Sequence, residues 1–146
     1  MTSSAAARTD TAARTDTVAL GAALLRVSLG VLFLAHGLLK VLVFTLPGTV
    51  GYFQSLGLPG AFAYLAVAGE IGGGLLLVAG IYTRYVALAL VPLMIGATLV
   101  HVPNGWLFSA PKGGFEFPAL WTVLLVVQAL IGGGAYALAG EPERSA

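Results

Sequence analysis

Residues 67–80, VAGEIGGGLLLVAG, place one carboxylate, that of Glu70, midway along an apolar run. A run of this kind, continued on both sides, is typical of a membrane-spanning helix. A charged side chain at that depth is costly and usually pairs with another polar group inside a helix bundle. The sequence therefore predicts a membrane protein in which Glu70 has a buried partner elsewhere in the chain.

The composition of the chain supports the same class. Apolar residues make up 58% of the 146 residues, charged residues only 9%, and the mean hydropathy is +0.95, which is far from the balance of soluble domains. The net charge of +1 is too small to attract nucleic acid, so no nucleic-acid partner is predicted. Because there is no cysteine, a disulfide, a thiolate metal site and a dithiol redox centre are excluded. Redox chemistry would need a bound cofactor.

Apolar segments of roughly the ~20 residues that cross a bilayer predict an all-α fold, an integral membrane four-helix bundle. The four predicted spans are residues 17–44, 59–81, 82–102 and 117–138. A polar piece around Tyr52 between the first two spans is predicted to lie at the membrane interface.

The two ends of the chain are predicted to lie outside the bundle. Residues 1–16 are interpreted as a disordered polar cytoplasmic tail and residues 139–146 as a short polar cytoplasmic tail. A cleaved signal peptide is the competing interpretation of the first segment. The apolar region that follows is far longer than a signal h-region of roughly 7–15 residues, and Arg26 interrupts it.

The distribution of basic residues predicts the orientation. Cytoplasmic loops are enriched in lysine and arginine. With four spans, one side carries Arg8, Arg14, Arg84 and Arg144, and the other carries Lys40 and Lys112. Both termini are therefore predicted to be cytoplasmic in a multi-pass protein of the cell membrane.

Glycine-rich segments suggest an internal repeat. Ile71–Gly72–Gly73–Gly74 recurs sixty residues later as Ile131–Gly132–Gly133–Gly134. Either the bundle consists of two repeated helical hairpins, or two glycine-rich apolar helices coincide. In both cases Gly69 and Gly73 form a small-xxx-small pair that allows a neighbouring helix to approach closely.

Three polar side chains are predicted to form a buried polar layer. Counted from the cytoplasmic ends of their spans, Arg26, Glu70 and Gln128 lie at depths of about 13, 16 and 15 Å. The guanidinium of Arg26 can then bind Glu70 with two hydrogen bonds, while Gln128 satisfies the remaining groups. The layer either fixes helix packing without a ligand or forms the floor of a polar cavity or one station of a proton path.

A second group of polar residues is predicted toward the outer face. His36 and Lys40 are four apart and share a helix face, and His101 ends the third span. The candidate catalytic residues are His36, His101 and Glu70, and the candidate substrate-binding residues are Lys40, Asn104 and Glu116. The alternatives are interfacial lysines, hydrogen-bonded interfacial histidines and a helix-start carboxylate at Glu116. A metal site is not predicted, because lysine repels a cation and no HxxxH or ExxH spacing occurs.

Taken together, the order and spacing of these residues resemble the DoxX family of small bacterial membrane proteins. The resemblance spans about residues 24–136 and rests on Arg26…Gly30…Phe33…His36-Gly37…Lys40, Glu70-Ile-Gly-Gly-Gly…Leu77…Gly80…Thr83-Arg84 and His101…Asn104-Gly-Trp…Gly114-Phe-Glu116. It implies a four-span bundle in the bacterial inner membrane, beside a quinone-linked redox reaction or in an assembly that answers thiol or oxidative stress. Arg26, His36, Lys40, Glu70 and Arg84 fall on the family's recurring polar positions, and Arg84 is assigned to the cytoplasmic hairpin.

Three functions follow from the residues and the resemblance. The first is a quinone- or small-substrate-binding subunit of a membrane redox complex, in which quinone carbonyls meet a protonated His36 or Lys40 and His101, and Glu70 or Glu116 exchanges protons. The second is a non-catalytic assembly factor that docks a partner oxidoreductase through its glycine-rich faces. The third is a small permease, for which four short helices enclose enough volume only in a homo-oligomer. Any enzymatic role is that of an oxidoreductase subunit, because this chain alone could hardly transfer electrons.

Overall fold

The structure is a computed structural model that describes the backbone of residues 3–139 and the side chains of residues 16–139. Within this range the chain forms α-helices and no strands, which confirms the all-α fold class. The elements are α1 (Ser3–Leu42), α2 (Leu46–Ser55), α3 (Ala61–Ala79), α4 (Thr83–His101), a single 3₁₀ turn (Val102–Asn104) and α5 (Glu116–Ile131).

Long apolar helices make this a helical membrane bundle. Three segments are long and apolar enough to cross a membrane, namely Asp16–Leu42, Ala61–Ala79 and Thr83–Asn104. Large apolar side chains such as Leu24, Leu65 and Leu99 are exposed on the outside of these helices, as expected where the neighbouring solvent is lipid. The short helix α2 packs against α3 and α1 at one end of the bundle.

The first helix is longer than predicted. α1 begins at Ser3, so helical backbone covers all the described residues of the predicted polar tail, and it ends at Leu42. Alanine and arginine are strong helix formers, and a helix already established in the membrane extends through them readily. Residues 1–2, and all of the predicted C-terminal tail except Ala139, lie outside the described residues.

The last helix is shorter than the predicted fourth span of residues 117–138. α5 ends at Ile131 because Gly132 adopts φ 84°, a conformation that ends the helix. Its 16 residues correspond to about 24 Å, less than the ~30 Å of a typical hydrocarbon core. The number of spans therefore stays a prediction.

The segment after α5 folds back across the end of the bundle. The amide of Ala135 donates to the carbonyl of Ala19 at 2.9 Å, and the amide of Leu138 donates to that of Ala79 at 3.2 Å. Residues 72–74 are helical, whereas residues 132–134 are not. The similarity of the two glycine-rich segments thus does not extend to their backbone conformation.

Helix α3 is the central element, with glycines on two faces. A Cβ atom on Gly74 would lie 2.9 Å from the carbonyl oxygen of Gly30, so α1 and α3 cross with their backbones nearly in contact. The predicted small-residue pair, Gly69 and Gly73, faces α4. A Cβ on Gly73 would lie 2.9 Å from Leu90 of this helix, and one on Gly69 would lie 3.8 Å from Leu93. Small residues therefore allow α3 to pack closely between α1 and α4.

An apolar layer fills the middle of the bundle. Leu29 and Phe33 of α1, Leu77 of α3 and Leu125 of α5 are at most 1% exposed and belong to one core cluster. Polar side chains lie on both sides of this layer. It therefore separates the bundle into two polar ends.

Candidate functional site

The partner of Glu70 is Lys40. The Lys40 Nζ lies 2.7 Å from the Glu70 Oε1, and the Glu70 side chain is only 9% exposed. Lys40 belongs to α1 and Glu70 to α3, so the ion pair links the two helices that cross most closely. Glu70 thus has a polar partner on another helix, as predicted, but that partner is the partly exposed Lys40 and not Arg26.

The predicted pairing of Arg26 with Glu70 is wrong. The Arg26 Nη1 donates to the carbonyls of Leu77 and Val78, both at 3.0 Å, and the Nη2 donates to that of Ala135 at 3.1 Å. Arg26 is therefore level with the last turn of α3, seven residues or about 10 Å along the helix from Glu70. The depth estimate counted each helix from its own predicted end, whereas the hydrogen bonds place Arg26 beside the last turn of α3.

Gln128 lies at the same end of the bundle as Arg26, so it does not share a layer with Glu70. Its Nε2 donates to the carbonyls of Gly132 at 2.6 Å and Ala22 at 3.4 Å. Arg84 acts similarly, since its Nη1 donates to the carbonyls of Ala129 at 3.1 Å and Leu130 at 2.7 Å. These side chains satisfy carbonyls at the ends of α3 and α5, where cations are favoured.

A cavity of about 580 Å³ lies at the opposite end, where α2 and the loop of residues 105–115 are found. Its wall is largely apolar, with a few polar groups, and its volume is within the range of small-molecule sites. The lining residues are His36, Lys40, Glu70, Met94, Ala97, His101, Phe108, Gly113, Gly114, Phe117, Pro118 and Trp121. The structure thus brings together His36, Lys40, Glu70 and His101, four of the six predicted site residues, and their roles stay predictions.

Both histidines of the cavity are held in the same way. The Nδ1 of His36 lies 2.9 Å from the carbonyl of Leu32, and the Nδ1 of His101 lies 2.7 Å from that of Ala97. Because a carbonyl can only accept, each Nδ1 carries the proton of the hydrogen bond. In the neutral imidazole the Nε2 then has a free lone pair. The Nε2 atoms are the groups that the two histidines can offer to a ligand.

Asn104 and Glu116, the remaining predicted binding residues, are placed in the loop beside the cavity. The Nδ2 of Asn104 donates to the carbonyls of Lys112 at 3.1 Å and Gly113 at 2.9 Å. The Oε1 of Glu116 accepts from the amide of Phe108 at 2.8 Å. Neither residue lines the cavity. They fix the loop that carries Phe108 and Gly113 to its rim.

Thr49 of α2 anchors this end of the bundle. Its Oγ1 donates to the carbonyl of Lys40 at 3.0 Å, and the residue is 4% exposed. Because Lys40 is in the last turn of α1, this hydrogen bond holds α2 beside the ion pair. The sequence analysis gave no role to Thr49.

Trp121 is one of the cavity residues that the sequence analysis did not single out. Its ring centroid lies 4.6 Å from that of Phe33, 5.0 Å from that of His36 and 5.9 Å from that of Phe117. Among the described residues its buried Nε1 has no hydrogen-bond partner, and neither has the Oε2 of Glu70. The available signal was the spacing Phe117, Trp121, Leu125 and Gln128, which puts an aromatic and a polar residue on one face of α5.

No group of three or more histidine, cysteine, aspartate or glutamate residues within the described part of the chain is arranged to hold a metal ion. The polar groups of the cavity are instead an ammonium, a carboxylate and two imidazoles. Such a set can bind an organic ligand through hydrogen bonds and can exchange protons with it.

Sequence comparisons match most of this chain to known proteins. The family model described as DoxX matches residues 21–103. A protein of Bacillus subtilis (strain 168) named "Putative oxidoreductase CatD" is 36% identical over 120 residues, which cover 82% of this chain and 84% of that protein. No solved structure matches the chain significantly. The region matched by the family model contains His36, Lys40, Glu70 and His101, but not Trp121.

Proposed function

The chain belongs to the DoxX family, and we propose that it is the quinone- or small-substrate-binding subunit of a membrane redox complex. The observation that carries the proposal is the cavity in which an ion pair and two imidazoles are surrounded by apolar and aromatic side chains. A quinone has a polar ring and an apolar chain, and both find matching surfaces there.

Each part of the cavity has a separate task in this proposal. The imidazoles of His36 and His101 contact the oxygens of the ligand ring, because their Nε2 atoms are free of protein hydrogen bonds among the described residues. The Lys40–Glu70 pair keeps the polar end of the cavity charged and rigid, since the two side chains are held together at 2.7 Å. Met94, Phe117 and Trp121 supply the apolar wall. When bound, the quinone supplies the two-electron redox chemistry that the cysteine-free chain lacks.

The partner is proposed to be an oxidoreductase. The support is the name of the Bacillus subtilis relative, which describes that protein as an oxidoreductase. In this arrangement the chain binds the ligand and the partner holds the electron carrier. The cell membrane is the proposed location, with both termini and Arg84 on the cytoplasmic side and Lys40 and Lys112 on the outer side.

A binding measurement tests the proposal. Purified protein in nanodiscs is dialysed to equilibrium against decylubiquinone, a short-chain quinone, and the bound quinone is extracted and quantified. We expect saturable binding, with roughly tenfold weaker affinity in a Trp121→Leu variant, which removes the aromatic wall and the indole N–H of the cavity. Binding that does not saturate, or that is unchanged in the variant, would contradict it.

The same experiment addresses the assembly-factor alternative. That hypothesis uses the glycine-rich faces for docking, but Gly30, Gly73 and Gly74 all contact neighbouring helices of the same chain. Among the glycines of residues 69–74, Gly72 alone has open space around it. The structure therefore offers less surface for this alternative than the sequence suggested, and an absence of saturable quinone binding would favour it.

A further inference from the structure

The free polar atoms of the cavity include both hydrogen-bond acceptors and hydrogen-bond donors. The Nδ1 atoms of His36 and His101 are held by backbone carbonyls, so the neutral imidazoles present Nε2 lone pairs. The Oε2 of Glu70 is a further acceptor that has no partner among the described residues. The Lys40 ammonium uses one N–H in its bond to Glu70 at 2.7 Å, and its other two N–H groups are donors.

We infer that the cavity selects its ligand in the reduced, hydroxyl-bearing form, an aromatic ring with hydroxyl groups, over the oxidised ring with carbonyls. This inference rests on the proposed function and specifies the redox state of the ligand. A ring carbonyl can only accept, so it would face lone pairs at both histidines. A hydroxyl donates to an imidazole Nε2 and satisfies it.

The second requirement on the ligand comes from Trp121. Its Nε1 is a buried donor without an acceptor in the described part of the chain, and buried polar groups of this kind are nearly always paired. A hydroxyl oxygen accepts as well as donates, so the same ligand can satisfy the indole N–H and an imidazole. A carbonyl could accept from the indole and from the Lys40 ammonium, but it could satisfy neither imidazole Nε2. The hydroxylated ring is therefore complementary to the whole set of free atoms.

The apolar wall explains why the ligand is a ring. Trp121 and Phe117 form one side of the cavity, with ring centroids 5.9 Å apart, and Phe108 stands at the rim with 68% of its surface exposed. Aromatic side chains favour offset or edge contacts with another ring. The loop hydrogen bonds of Asn104 and Glu116 keep Phe108 in this position.

The test compares the two redox forms of one ligand. Decylubiquinol, kept reduced under nitrogen, and decylubiquinone are dialysed separately against the full-length protein in nanodiscs. We expect the reduced form to bind at least about tenfold more tightly to the wild type. The preference should fall to about twofold or less in the His36→Phe, His101→Phe variant, because phenylalanine retains ring packing against Trp121 and removes the acceptors.

A matched control changes the wall of the cavity without changing its hydrogen bonds. Met94→Leu should alter the affinity of both forms by the same factor, since Met94 lines the cavity through its apolar side chain. Each single histidine variant is measured as well, so the test does not depend on the folding of the double variant. Equal affinity of the wild type for both forms, or tighter binding of the quinone, overturns the inference and leaves the proposed function standing. An absence of saturable binding for both forms overturns the two together.

Discussion

Lys40 and Glu70 show how one residue pair makes a charge tolerable inside the bundle. Removing one member of a buried ion pair leaves the other uncompensated, whereas replacing both by apolar residues is often nearly neutral. We expect Lys40→Met to lower the free energy of unfolding by roughly 1–3 kcal/mol, because Glu70 is then alone among apolar neighbours. The double variant Lys40→Met, Glu70→Leu should recover much of this loss. Thermal unfolding in detergent measures both, and a double variant as unstable as the sum of the two single variants would contradict the pairing.

The sequence predicted that Glu70 needs a partner but not which residue it is. A carboxylate in an apolar run requires a polar contact, and that requirement follows from solvation alone. The choice between Arg26 and Lys40 depends on the relative heights of α1 and α3, which are set by where the helices cross at Gly30 and Gly74. Arg26 instead donates from its Nη1 and Nη2 to backbone carbonyls. Every residue has a carbonyl, so no sequence pattern could reveal this.

The helices themselves were more predictable than their contacts. The bounds of α3 and α4 lie within two residues of the predicted spans, because turn residues such as Gly80 interrupt the apolar periodicity at their ends. His36 and Lys40 were expected on one face of α1, and both line the cavity. α5 was predicted too long, since apolar composition continues past Ile131 while the backbone does not remain helical. Apolar composition therefore predicts which segments lie in lipid. The backbone conformation of a glycine determines where such a helix ends.

The crossing of α1 and α3 gives a prediction with an internal control. In Gly74→Ala the new Cβ would lie 2.9 Å from the Gly30 carbonyl oxygen, a backbone atom that cannot move alone. We expect a loss of roughly 1–3 kcal/mol in the free energy of unfolding. Gly72→Ala, two residues away on the same helix, meets nothing within 4 Å and should be neutral or slightly stabilising, because alanine favours helix. Equal thermal midpoints for the two variants would contradict the close packing.

At the scale of the whole molecule, the polar side chains at the two ends of the bundle have different surroundings. The end that contains Arg26, Arg84 and Gln128 uses its polar side chains to bind carbonyls at the ends of α3 and α5. The end that contains the Lys40–Glu70 pair leaves polar atoms available around a cavity. The apolar layer of Leu29, Phe33, Leu77 and Leu125 lies between them. We therefore expect a ligand in the proposed site to exchange protons through the end of the bundle where α2 lies.

Whether α5 crosses the membrane decides on which side of it the residues before and after this helix lie. α5 is only 16 residues long, yet Leu120, Val123 and Leu130 are exposed along it, as on a lipid-facing helix. A short apolar helix can still cross if the bilayer thins around it, at a modest energetic cost. The helix is therefore expected to cross, with the residues before it and those after it on opposite sides.

Cysteine labelling tests this topology in a chain that has no cysteine of its own. Single cysteines are introduced at Ser109, before α5, at Tyr136, after it, and at Tyr82, between α3 and α4; all three positions are exposed. In spheroplasts a membrane-impermeant maleimide should label Ser109→Cys, and in inverted vesicles it should label Tyr82→Cys and Tyr136→Cys, as the distribution of lysine and arginine predicts. Labelling of Ser109→Cys and Tyr136→Cys from one side would show that α5 does not cross. Labelling of all three with the sides exchanged would leave the bundle intact but place the cavity at the cytoplasmic face, so that its ligand would exchange protons with the cytoplasm.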